Sequence, residues 1–143
     1  MRVHEVMSRN IRIARPGDSI EDAAKMMIAL DAGFLPVGDN DRLVGTITDR
    51  DIAVRGVGQG KSCDTTVDEI MSRDVKYCFD DQELDEVADN MGDIQVRRLP
   101  VVDRDKRLVG IVSLGDIAKL KEPEAGVALS DITRESPQHN QVE

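Results

Sequence analysis

The sequence predicts a mixed α/β (α+β) fold, two pseudo-twofold-related βαββα units packed sheet to sheet. Three observations carry that prediction. The chain repeats itself along nearly its whole length. Each copy runs through a short β-rich stretch, an amphipathic helix, two apolar β-formers around a polar turn, and a second helix. Neither copy, at about 60 residues, buries enough surface to stand alone, whereas two packed together do.

The repeat is read residue against residue. Val3-His4-Glu5-Val6-Met7-Ser8-Arg9 aligns with Val67-Asp68-Glu69-Ile70-Met71-Ser72-Arg73. At the same offset Ala24 falls on Ala88, Met27 on Met91, and Leu35-Pro36-Val37 on Leu99-Pro100-Val101. After one inserted residue, Arg42-Leu43-Val44-Gly45 matches Arg107-Leu108-Val109-Gly110, and Asp51-Ile52-Ala53 matches Asp116-Ile117-Ala118. The expected division is a first repeat over 1–60, a second over 61–121, and a polar tail over 122–143. Gly56 to Thr66 reads as the linker between the repeats.

Each unit opens on β-formers, Ile11-Arg12-Ile13 and Val75-Lys76-Tyr77. A helix follows, with Ile20, Ala23, Ala24, Met27 and Ile28 on one stripe, and Leu84, Val87, Ala88 and Met91 on its counterpart. Spacings of three and four residues place those side chains on one face. Asp18 before Glu21, and Asp80 before Glu83, resemble acidic helix starts. A hairpin comes next: Phe34 to Val37 and Leu43 to Ile47 flank Gly38-Asp39-Asn40-Asp41, and Leu99 to Val102 and Leu108 to Val112 flank Asp103-Arg104-Asp105-Lys106. Asp- and Asn-rich turns between apolar runs are the hairpin signature. The closing helices are Asp49 to Val54 and Leu114 to Leu120. In the tail, Ala128 to Ile132 suits a turn or two of helix, and Glu135 to Glu143 has the composition of a disordered segment. The exposed helix stripes need a cover, which a homodimer supplies economically.

Composition narrows the function. Hydrophobic residues are 40% of the chain but aromatics only 2%, so the core is aliphatic. The formal net charge of -9 repels phosphate backbones and anionic lipids, so no nucleic-acid or membrane partner is expected. With no apolar leader and no run long enough to span a bilayer, the expected location is cytoplasmic. Cys63 and Cys78 form no CxxC pair, and with His4 and His139 they give no zinc signature. No metal site is therefore expected. The chain has no HExxH, no P-loop and no nucleophile paired with a histidine, so no enzyme is expected either.

The strongest short signal is repeated. Gly45-Thr46-Ile47-Thr48-Asp49-Arg50-Asp51-Ile52 and Gly110-Ile111-Val112-Ser113-Leu114-Gly115-Asp116-Ile117 share Gly, an aliphatic residue, Thr or Ser, and Asp-Ile. One reading is helix capping, in which Thr48 and Ser113 are N-caps and Asp51 and Asp116 complete the box, each cap contributing about 1 kcal/mol. The other is anion and ribose binding, in which a hydroxyl and free backbone N–H groups meet a phosphate and the carboxylate accepts from a ribose diol.

These residues resemble the cystathionine β-synthase (CBS) domain. The paired Val-x-x-x-Met-Ser starts, the Leu-Pro-Val strands and the Gly-to-Asp-Ile ends together cover about residues 3 to 120. Two copies in tandem look like a Bateman module of the small stand-alone bacterial type. The resemblance implies clefts that take AMP, ADP or ATP or related adenosyl ligands, and dimers shaped as discs. It places Asp51 and Asp116 on ribose hydroxyls and Thr48 and Ser113 on ribose or phosphate. Ile47 and Val112, with Ile13 and Tyr77 of the opening strands, would line the adenine or sugar wall. Arg98 falls where the family often carries a phosphate-binding basic residue. Phe34 and Gly33 replace Arg98 and Arg97 in the first copy, while Arg50 stands in the first motif against Gly115. Unequal sites are expected. The resulting expectation is a sensor that relays nucleotide occupancy to its own copies or an effector protein, with no required cofactor. A ligand-free interaction module, or a metal- or thiol-linked stress protein, is the alternative.

Overall fold

The structure is a computed structural model, and it describes residues 1–120 and 122–133, the side chains of 122–126 excepted. Helix α1 (Ile20–Leu30) starts at Ser19, whose hydroxyl accepts from the Asp22 N–H at 3.0 Å. The cap is thus one residue later than the Asp18–Glu21 pattern suggests. Asp18 closes the preceding turn, its carboxylate accepting from the Arg15 N–H at 2.9 Å. In the second copy Gln82 does the same for the Phe79 N–H at 2.8 Å, and Glu83 precedes the matching helix, Leu84–Ile94, without a side-chain cap bond. A short hydroxyl reaches the first free N–H groups of a helix, which explains the preference for Ser19.

Strands β1 (Phe34–Asp39) and β2 (Arg42–Thr48) pair antiparallel across Asn40 and Asp41, at φ 51° and 64°. Two successive left-handed residues match the twist of the strands they join. Helix α2 (Asp49–Asp51) follows and widens into a π-helical turn over Ile52–Gly56. Next come α3 (Val67–Ile70), β3 (Cys78–Phe79), α4 (Leu84–Ile94), β4 (Arg98–Val102), β5 (Leu108–Ser113) and α5 (Leu114–Ala118). The second hairpin has the longer turn. Asp103 Oδ1 holds it, accepting from the Asp105 and Arg107 N–H groups at 2.9 Å each.

The opening strands differ from the expected ones. Ala14, not Ile11 to Ile13, bridges Val37, and β3 begins at Cys78, past Tyr77. Alternation explains the shift. Ala14 and Cys78 are buried and face the cores, while Ile13 is half-buried and Tyr77 exposed. Bulky β-formers mark the strand, but small residues mark its inner face.

The compact units are not the consecutive segments 1–60 and 61–121. One unit, here the α1 unit, holds residues 10–76 and 102–108; the other, the α4 unit, holds 1–9, 77–101 and the described chain from Val109. Each Val-x-x-x-Met-Ser segment therefore joins the helix and hairpin of the other repeat. Ser8 N–H donates to the Ile111 carbonyl at 2.8 Å, and Ser72 N–H to the Thr46 carbonyl at 2.8 Å. Glycine permits both approaches: a Cβ on Gly110 would lie 2.7 Å from Met7 Sδ, and one on Gly45 2.7 Å from Met71 Sδ. Sheet β1-β2 belongs to the α1 unit, whose core gathers Ile20, Met27, Leu35, Ile47 and Ile70. The second sheet runs β3-β4-β5, and the α4 core gathers Leu84, Met91, Leu99, Val112 and Ile117.

The tail holds more structure than a turn or two. Helix α6 (Glu122–Thr133) buries Ala128 and Ile132 and packs on α4 and α5. The Met91 stripe, expected to need a second subunit as cover, is thus covered within the chain. The expected disorder of Glu135 to Glu143 lies outside the described residues.

Candidate functional site

Thr48 ends β2 in an extended conformation and Ser113 ends β5 the same way. Thr48 Oγ1 accepts from the Asp51 N–H at 3.1 Å while the Thr48 N–H donates to Asp51 Oδ2 at 3.0 Å. Ser113 and Asp116 repeat this box with the same two distances. The capping geometry is thus fully formed in both units. It holds each carboxylate by one oxygen, at the surface end of a strand.

What surrounds the two boxes differs. In the α4 unit the Leu114 N–H donates to the Arg97 carbonyl at 2.8 Å, which brings Arg97 and Arg98, both exposed, beside the Ser113 turn. The backbone that carries the two arginines thus runs beside the turn that carries the Ser113 hydroxyl and the Asp116 carboxylate. In the α1 unit the Asp49 N–H donates to the Gly33 carbonyl at 3.0 Å, and Phe34 is the strand partner of Thr48. The Asp49 carboxylate lies so close over Gly33 that a Cβ there would be 2.5 Å from it. Arg50 is exposed beside Asp49. The first box therefore has Asp49 and Arg50 as neighbours in the chain, and the second has Arg97 and Arg98 on the strand beside it.

The remaining candidates do not gather at the boxes. Ile47 and Val112 are fully buried, one in each core, as strand alternation directs. Ile13 packs over Gly38 and lines a groove of about 460 Å³ with Arg15 and the 38–41 turn, and neither Thr48 nor Asp51 lines that groove. Tyr77 stands edge-on to Phe79, ring centroids 5.7 Å apart.

One feature of the α1 unit escapes the sequence reading. Ala24, Met27, Ala32 and Ile52 floor an open groove of about 380 Å³, with Ile28 on its side and Asp31 and Asp49 also lining it. Ile28, counted with the apolar stripe, is 80% exposed. The available signal was the partner position, where the second copy has Gly92. Cys78 is buried, and burial, with Asp80 nearby, pushes its thiol up to about 12, so it stays protonated and unreactive; Cys63 is exposed. Among the described residues no cluster of His, Cys, Asp and Glu could hold a metal ion, and no helix is long and apolar enough to cross a membrane.

Comparison with known proteins adds to this geometry. The CBS domain family matches residues 3–57 and again 67–122. The CBS domain-containing protein YhcV of Bacillus subtilis is 36% identical over 136 residues, 94% of this chain and 96% of that protein. A CBS domain pair solved in complex with 5-methylthioadenosine and S-adenosyl-L-methionine superposes with a TM-score of 0.74 at 35% identity, covering 87% of this chain and 98% of the other. CBSX2, solved in complex with AMP, superposes with a TM-score of 0.75 at 27% identity, covering 85% and 96%.

Proposed function

The chain belongs to the CBS domain family, and on that premise we propose that it is a regulatory module, not a catalyst. It binds an adenosine nucleotide (AMP, ADP or ATP) and passes its occupancy to a second copy or to an effector protein. The observation that carries this reading is the company of the second capping box. Arg97 and Arg98 stand exposed at the turn of Ser113 and Asp116. Guanidinium groups match phosphate oxygens, and a carboxylate held by one oxygen has the other for a ribose diol. Asp116 takes the ribose, Ser113 the ribose or phosphate, and Arg98 the phosphate. The relatives solved with AMP and with S-adenosyl-L-methionine support an adenosyl ligand. The first box, with Thr48, Arg50 and Asp51, has Phe34 and Gly33 in place of the arginine pair and binds more weakly. Occupancy changes what a partner sees only so far as the ligand binds one state of the module more tightly than another.

A thermal-shift panel with AMP, ADP, ATP and S-adenosylmethionine tests the reading. Ligand at a hundred times its Kd stabilises by about 2.7 kcal/mol, a rise of several degrees in Tm. At least one compound is expected to raise Tm, and Arg98→Ala to reduce that rise. A panel with no shift overturns the proposal. A ligand-free interaction module is the second reading, favoured by one observation: both capping boxes are complete without any ligand.

A further inference from the structure

We infer that Arg42 and Arg107 together form a binding site for a small phosphate dianion, separate from the capping boxes. The two arginines hold the same position in the two repeats, just after each hairpin turn. The fold sets them opposite one another. Residues 102–108 belong to the α1 unit, and within it Arg42 and Arg107 form an antiparallel bridge. The Leu108 N–H donates to the Asp41 carbonyl at 2.8 Å, so the hydrogen bonding flanks the two arginines and does not join them. In an antiparallel ladder that arrangement brings facing Cα atoms to about 4.5 Å and sets their side chains closest. Both side chains are exposed.

Like charges directly opposite one another destabilise a strand pair. Nothing in the fold cancels this pair. Arg42 Nη1 donates to the Asp105 carbonyl at 2.7 Å, a neutral acceptor that steadies the guanidinium without offsetting its charge. Among the described residues neither arginine is ion-paired with an acid. Asp103 of the same turn spends Oδ1 on the Asp105 and Arg107 N–H groups, and its backbone exchanges bonds with Lys106 at 2.9 Å and Arg107 at 3.0 Å. The backbone that carries Arg107 is thus held before any ligand arrives. A guanidinium offers five donors in a fixed fork. One fork occupies both oxygens of a carboxylate, whereas a tetrahedral phosphate presents another edge to a second fork, and its two charges match two cations. The occupant is small, because a net charge of -9 and the exposed Asp39, Asp41 and Asp105 of the two turns oppose a long polyanion. At about 3.3 Å per residue, the seven residues of β2 put about 20 Å between Arg42 and Thr48. The inference therefore goes beyond the nucleotide reading and stands whether or not the boxes are occupied.

The probe is inorganic phosphate, titrated into the full chain at constant ionic strength against chloride and read by amide NMR. Saturable shifts are expected at Leu43, Arg107 and Leu108. Arg42→Gln and Arg107→Gln are each expected to weaken phosphate binding about tenfold, the loss of hydrogen bonding between charged groups. Lys61→Gln removes an equal exposed charge from the linker and is expected to change it by less than about twofold. Arg42→Lys/Arg107→Lys keeps both charges but not the forks, and is expected to weaken binding about fivefold. Without phosphate the effect on the fold has the opposite sign: Arg107→Gln is expected to raise Tm by about 2 °C, because the facing charge is gone. An unchanged or lower Tm for Arg107→Gln in phosphate-free buffer overturns the inference. So does a lack of saturable shifts at these residues, the same shifts with chloride alone, or equal weakening by Lys61→Gln and Arg107→Gln. Shifts confined to Arg98 and Ser113 overturn it too, and leave the nucleotide reading standing.

Discussion

Helices α1 and α4 hold the same place in the repeat and carry the same alanine–methionine stripe, yet among the described residues only α4 has a helix laid over it. One position separates their fates. Gly92 admits the backbone of α6 to within van der Waals contact, while Ile28 at the matching place stands 80% exposed beside an open groove. A duplicated fold can thus close one of its faces with its own tail and leave the twin face open. The two capping boxes teach the same lesson on a smaller scale. Their hydrogen bonds are alike to a tenth of an ångström, and the residues around them distinguish them: Arg97 and Arg98 against Gly33 and Phe34, and Leu114 and Gly115 against Asp49 and Arg50.

The largest expected effect comes from giving α4 the residue that α1 carries. Gly92→Ile forces α6 off its seat and is expected to cost about 3 kcal/mol, as overpacking of a closed contact does, read by urea denaturation. Ile28→Ala, its mirror on α1, is expected to be neutral within about 0.5 kcal/mol, because an exposed side chain is lost and helix propensity improves. Similar costs at the two sites would break the comparison. Next in size is Ile132→Ala, expected to remove about 2–3 kcal/mol by opening a cavity under α6. Hydrogen exchange should then quicken in α4 and stay unchanged in α1.

Much of this was legible in the chain. The repeat, both hairpins and both Thr/Ser-to-Asp turns follow from matched residues, because local hydrogen bonding and alternation decide them. Three features were not. The opening strands look centred on Ile11 to Ile13 and Val75 to Tyr77, but Ala14 and Cys78 are the residues that pair and are buried. The partnering of Met7 with Gly110, and of Met71 with Gly45, joins residues far apart in sequence, and no local pattern records it. The reach of α6 was hidden because Glu122 to Gly126 contributes little to an apolar stripe; Ala128 and Ile132 show their role only against Gly92. The sites divide similarly: Asp51 and Asp116 announce themselves, whereas the burial of Ile47 and Val112 is a property of the assembled cores.

The smaller predictions sharpen the comparison of the boxes and of the two inner-strand residues. Thr48→Ala and Ser113→Ala are each expected to cost about 1 kcal/mol without ligand, equally, because the caps are geometrically the same; unequal costs in denaturation would show that the boxes differ before any ligand arrives. Cys78→Ala is expected to cost about 1 kcal/mol or less, since alanine already fills the matching place at Ala14. Its thiol, held up to about 12 against an ordinary 9.0, keeps its proton where the unfolded chain loses one, so stability falls as pH rises from 9 toward 12. Cys78→Ala should flatten that alkaline decline. Thiol titration at neutral pH should find Cys63 reactive and Cys78 silent until the chain unfolds.

The central claim, one strong nucleotide site built on the second box, is tested most directly by calorimetric titration of AMP into the wild type, Asp116→Ala and Asp51→Ala. The expected result is binding that Asp116→Ala weakens about tenfold or more, the loss of a hydrogen bond to a charged group, while Asp51→Ala leaves the tighter phase in place. Equal losses in the two variants, or no AMP binding to the wild type, would contradict it.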